Sequence, residues 1–117
     1  MLTTYELEVL LPRMIKGFSN RVGQKNSIKS PEIVNVLTCE GLTINDIQIR
    51  GIVRHIRQNH LLPCLASSPY HGYWIETDPT KLKKCIQNLR SRAKEAMLSA
   101  DALAEDYFAI TQMQITS

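Results

Sequence analysis

The chain has 117 residues, 44% hydrophobic and 21% charged, with a formal net charge of +3. That length suits one domain with an appendage, and so large an apolar share excludes a disordered chain. No apolar run approaches the roughly 20 residues that cross a bilayer, and the N-terminus lacks the basic region of a secretion signal.

Thr3 and Glu6 stand at capping-box spacing, which predicts a helix starting near Thr4. Leu7, Leu10, Leu11, Met14, Ile15 and Phe18 give it an apolar face. Pro12 interrupts this pattern, as a kink or as the first turn of a second helix. A polar basic loop, Ser19 to Asn26, follows, and Ser27-Ile28-Lys29 has the character of a short strand. Ser30-Pro31-Glu32 predicts a helix with Ser30 as cap, ending at Gly41. Thr43 with Asp46 forms a second capping box, so the next helix is expected at about 44–59. Two helices joined by Glu40-Gly41-Leu42 make a helix-turn-helix.

Laid out at 100° per residue, the second of these helices gathers Ile49, Ile52, Val53 and Ile56 on one side. Arg50, Arg54 and Arg57 gather on the other, with Gly51 and Gln58 flanking them, and Ile47 falls anomalously toward this basic side. Two short strand-like runs come next, Leu61 to Ala66 and Tyr73 to Ile75, separated by the turn SSPYHG. Pro63 suits a sheet edge. Asp78-Pro79 then caps a long helix. On it Leu82, Ile86, Leu89, Ala93, Ala96, Ala100, Leu103, Tyr107 and Ile110 recur at alternating spacings of four and three, a coiled-coil seam. Residues 111–117 carry no signal and read as a frayed end.

Charge is segregated along the chain. Val9 to Pro31 holds Arg13, Lys16, Arg21, Lys25 and Lys29 without an acid, and Lys81 to Lys94 is equally free of acids. From Ile47 to Ile75 there are three Arg, three His and no carboxylate, the composition of a phosphate footprint. Cys39, Cys64 and Cys85 have no metal-ligand or disulfide spacing. Cys39 and Cys85 are expected as small core residues, and a reducing cytoplasm is the expected compartment. An enzyme is not expected: no phosphate loop, HExxH or nucleophile elbow occurs, and His60 and Cys64 straddle a helix-to-strand junction without a carboxylate to orient them. No cofactor, metal or small-molecule substrate is implied.

The segment from Ser30 to Ile75 resembles the winged helix-turn-helix of biotin-repressor-type bacterial regulators. Gly41-Leu42-Thr43 matches the turn, the helix to Asn59 the recognition helix, Leu62-Pro63-Cys64 the buried strand, and Gly72-Tyr73-Trp74 the return strand. With its continuation into a long helix, the chain also resembles small phage or prophage winged-helix proteins. The resemblance implies a mainly α fold with a small β-hairpin, divided into an N-terminal helical segment and basic loop (1–26), a winged helix-turn-helix (27–78) and a long C-terminal helix (79–117). It implies double-stranded DNA as partner, in transcription regulation or replication. Recognition-helix contacts would fall on Asn45, Gln48, Arg50, Arg54 and Arg57, and wing contacts on Ser67, Ser68, Tyr70 and His71. Helix-terminal amides near Thr43 would hold a phosphate, and Lys25 and Lys29 would add positioning contacts. Homodimerisation is expected through Leu89, Ala93, Ala96, Ala100, Leu103, Tyr107 and Ile110. The alternative is a protein-interaction module docking through the long helix, because the tip of the wing carries no Lys or Arg.

Overall fold

The computed structural model describes the backbone of residues 1–116 and the side chains of residues 1–112. The molecule is mainly helical. It consists of α1 (Leu11–Ser19), α2 (Ser30–Cys39), α3 (Asp46–Gln58), an antiparallel hairpin of β1 (Leu65–Ser68) and β2 (Gly72–Ile75), and α4 (Pro79–Thr116). It divides into two compact units, the first ending at Leu82 and the second beginning at Lys83. No helix among the described residues is long and apolar enough to cross a membrane.

The expected capping box at the N-terminus is present. The Thr3 N–H donates to Glu6 Oε1 at 2.7 Å and the Glu6 N–H to Thr3 Oγ1 at 3.2 Å. These bonds, the backbone one from Thr3 foremost, hold the Glu6 carboxyl below its ordinary range. Pro12 falls in the first turn of α1, the second of its two expected places. A wider π turn, Glu6–Leu10, leads without interruption into α1, and the Leu11 N–H reaches back to the Glu6 carbonyl. In a regular helix the Pro12 ring would collide with the carbonyl four residues earlier, and the widened turn relieves that crowding.

Gly41, at φ 80°, ends α2. The Leu42 N–H returns to Leu37 O at 2.9 Å and the Gly41 N–H to Thr38 O at 3.0 Å, a Schellman closure. The sequence misplaces the two neighbouring helix starts. α2 begins at Ser30 itself, with Lys29 as cap. α3 is capped not by Thr43 but by Asn45, whose side chain accepts the Gln48 N–H at 2.8 Å while Gln48 Oε1 accepts the Asn45 N–H at 3.0 Å. Ile44, one residue before this cap, lies outside the helix and is buried in the core.

The core joins α2 and α3 to the N-terminal segment. Ile49, Ile52 and Ile56 of α3 are completely buried together with Leu10, and Met14, Phe18, Ile33 and Leu37 complete the cluster. Residues 1–26 therefore share the hydrophobic core of residues 27–78. Arg13 does not belong to a free basic surface, because it forms a bidentate pair with Glu40 at 2.6 and 2.7 Å. That hydrogen-bonded pair raises the Arg13 pKa and lowers that of Glu40.

The hairpin pairs Leu65 with Ile75, Ala66 with Trp74, Ser67 with Tyr73 and Ser68 with Gly72. The first strand starts later than expected, because Leu61 to Cys64 form a turn. There Pro63 is exposed and Cys64 takes φ 62°, so Pro63 leads into the strand instead of lying along its edge. α3 closes as α2 does, with Leu61 N–H to Ile56 O at 3.0 Å, but the left-handed position is held by His60 at φ 52°. Ile28 forms a single antiparallel bridge to Tyr73 and Val22 a parallel one to Ile75, so the expected short strand is reduced to one bridge. Trp74 is buried with its Nε1 donating to Glu76 Oε1 at 3.1 Å, and the carboxylate's other oxygen accepts the Asp78 N–H at 3.1 Å. Cys39 corrects its expectation: at the last position of α2 it is exposed, whereas Cys85 is buried. α4 is capped by Asp78, which accepts the Thr80 N–H at 2.9 Å. It continues to Thr116, through residues expected to fray, and Ser117 lies outside the described residues.

Two glycine-dependent predictions follow from this geometry. A Cβ on Gly72, itself at φ 85°, would lie 2.1 Å from Ile28 O and 2.7 Å from Lys29 Cα, both backbone atoms. Gly72→Ala is therefore expected to cost at least about 2 kcal/mol in urea unfolding. His60→Gly removes a left-handed non-glycine residue at an exposed helix end and should stabilise by about 1 kcal/mol in the same assay.

Candidate nucleic-acid interface

Because α3 buries its isoleucine face, its opposite face is fixed in solvent. Ile47, Arg50 and Arg54 occupy that face, all exposed, with Ile47 at 74%. Arg50 pairs with Asp46 one turn earlier at 3.0 Å, with both side chains more than half exposed. A pair so open to water is worth at most about 1 kcal/mol, so it holds Arg50 only weakly. The anomalous position of Ile47 in the sequence is thus a real exposure, and it stands beside the arginines.

Arg57 has a different role from its neighbours. Its Nε donates to Leu65 O at 2.9 Å and its Nη2 to Ser67 Oγ at 3.0 Å. It is half-buried and ties the last turn of α3 to β1. Periodicity groups Arg57 with Arg50 and Arg54, but the returning strand lies within reach of the end of the helix and not of its middle. Arg57 and Ser67 are therefore committed to joining helix and hairpin.

The residues expected at the helix start are also occupied. Tyr5 Oη accepts the Thr43 N–H at 3.0 Å and donates to Thr43 O at 2.8 Å. Asn45 and Gln48 satisfy each other in the capping box. The Thr43 and Asn45 amides expected to hold a phosphate are thus already bonded within the fold. Gly51, which flanks the arginines, faces Leu2, whose Cδ2 would be 3.6 Å from an added Cβ.

The hairpin tip is braced from below. His71 Nδ1 lies 2.8 Å from Gln24 Nε2 and 3.0 Å from Ser68 Oγ, and the His71 N–H donates to Ser68 Oγ at 3.0 Å. The imidazole also meets the Trp74 ring edge-on at 6.2 Å. Tyr70, at the apex, is 81% exposed. Gln24, which the sequence did not single out, brings the basic loop to the hairpin, and Lys25 beside it is exposed, as is Lys29. Of the expected contacts, the fold leaves Arg50, Arg54, Tyr70, Lys25 and Lys29 exposed around α3, the loop and the hairpin. It binds Thr43, Asn45, Gln48, Arg57, Ser67, Ser68 and His71 into internal hydrogen bonds.

No protein family, curated protein or solved structure matches this chain.

On this geometry, Arg57→Ala and Arg54→Ala should behave oppositely in thermal or urea unfolding. Arg57→Ala leaves the Leu65 carbonyl and Ser67 hydroxyl without a charged donor, at a cost of about 1–3 kcal/mol. Arg54→Ala should stay within about 0.5 kcal/mol of the wild type.

Proposed function

We propose that the first unit binds double-stranded DNA as a winged helix-turn-helix, with α3 entering the major groove and the β1–β2 hairpin serving as the wing. The observation that carries this reading is the solvent face of α3, where Arg50 and Arg54 stand exposed on a helix whose opposite face is wholly buried. Arginine in that setting suits guanine edges and phosphates alike. Ile47 between them is suited to a thymine methyl. Lys25, Lys29 and Tyr70 contribute contacts that position the protein without reading sequence. Arg57 supports binding indirectly, by holding the wing to the helix. The α4 seam, exposed from Ala93 to Ile110, pairs two copies, so that the DNA target has two-fold related halves.

Docking to another protein is the second reading, favoured by the exposure of Ile47 and Tyr70 near so few free cations. A salt titration separates the two. A fluorescently labelled duplex should bind the full chain with an affinity that falls steeply with salt, the log–log slope being close to −0.9 per phosphate neutralised. Arg50→Ala and Arg54→Ala should each weaken binding and make that slope shallower by about one contact. Failure to bind at low salt, or indifference to both substitutions, would remove DNA as the ligand of this face.

A further inference from the structure

α4 carries a charge pattern that the DNA-binding reading leaves unused. Its first half holds Lys81, Lys83, Lys84, Arg90, Arg92 and Lys94, and its second half Glu95, Asp101, Glu105 and Asp106. Every side chain from Arg90 to Ile110 is exposed, including Leu103 at 68% and Tyr107 at 62%. The seam spacing puts Ile86, Ala93, Ala100 and Tyr107 at heptad position a, and Leu82, Leu89, Ala96, Leu103 and Ile110 at position d.

We propose that two copies of α4 pair antiparallel about a two-fold axis near Leu98, each basic half lying on the partner's acidic half. This rests on the dimer reading above and adds its orientation and register. About that axis Ala96 meets the partner's Ala100, Ala93 the partner's Leu103, Leu89 the partner's Tyr107, and Ile86 the partner's Ile110. The central alanine layers bring the helices close, and the layers on either side each receive one large side chain. Arg92, flanking the seam, falls beside the partner's Asp106, and the symmetry makes this contact twice. A parallel pair has none of these features. It stacks six basic residues on six, and its flanking partners are Arg92 with Met97 and Asp106 with Thr111, which offer no opposite charges. It also follows three all-alanine layers, at 93, 96 and 100, with Leu103 and Tyr107 each packed on itself, which forces a narrow waist against a bulge. In the antiparallel arrangement the two Leu82 positions, where the first units end, are separated by about 48 Å along the axis, from about 1.5 Å per residue.

Charge exchange in the full chain, followed by sedimentation equilibrium, tests this directly. Arg92→Asp and Asp106→Arg should each weaken self-association about tenfold, since each puts like charges together twice. An equimolar mixture of the two variants should recover wild-type association, because the mixed dimer restores both Arg–Asp contacts. Association that neither single variant weakens, or a mixture no tighter than the single variants, would overturn the register. As an independent readout, Cys39, Cys64 and Cys85 are replaced by Ala and single cysteines introduced. Ala93→Cys mixed with Leu103→Cys should then give an oxidised heterodimer. Self-crosslinking of Leu103→Cys alone would show a parallel dimer, leaving dimerisation intact and this orientation refuted. A wild-type chain that remains monomeric would overturn the pairing itself, without touching the DNA contacts assigned to α3.

Discussion

Complete removal of Ile49, Ile52 and Ile56 from water is the constraint from which the first unit is built. Three buried isoleucines supply on the order of 5–9 kcal/mol of transfer free energy, before the cost of ordering the chain. They also fix the rotation of α3 about its own axis. A turn of the helix by one position would expose an isoleucine and carry an arginine toward the core, where its charge would lose hydration. The same packing that stabilises the unit therefore presents Arg50 and Arg54 to solvent in a rigid setting. Stability and the proposed binding face are two sides of one helix.

The hairpin depends on that helix in turn. Its strands are four residues each, too short to persist alone in water. It is held by three kinds of contact: the Arg57 guanidinium on Leu65 and Ser67, the backbone bridges from Ile28 and Val22, and the burial of Leu65, Ala66 and Trp74. The close approach of Gly72 to the Ile28 carbonyl is what permits the second of these. The Gln24–His71 hydrogen bond then ties the basic loop to the tip. Helix, loop and hairpin therefore form one supported surface, and a ligand meeting it would not have to order three separate segments, which lowers the entropic cost of binding.

α4 follows a different logic. The first unit closes its own core, whereas the seam residues of α4 from Ala93 to Ile110 are exposed. Exposed apolar residues at heptad spacing, with charge of opposite sign in the two halves, make a surface complementary to its own reverse. Such self-complementarity is what a two-fold symmetric contact requires.

Which parts were legible from the sequence follows from the range of the interactions involved. The capping box at Thr3 and Glu6, the turn at Gly41, the buried face of α3, the hairpin tip and the start of α4 at Pro79 are all set within a few residues by local hydrogen bonding, steric limits or hydrophobic periodicity. The cap of α3, the beginning of β1 and the exposure of Cys39 were decided by tertiary packing. So was the division of the arginines: periodicity gives Arg50, Arg54 and Arg57 the same face, and only the returning strand separates the one that holds the hairpin from the two exposed to solvent. Arg13 with Glu40, Tyr5 with Thr43 and Gln24 with His71 join residues 27, 38 and 47 positions apart. A pattern read along the chain registers spacing within one element, but a hydrogen bond between elements depends on how they are brought together in space, and that is settled only when the core closes.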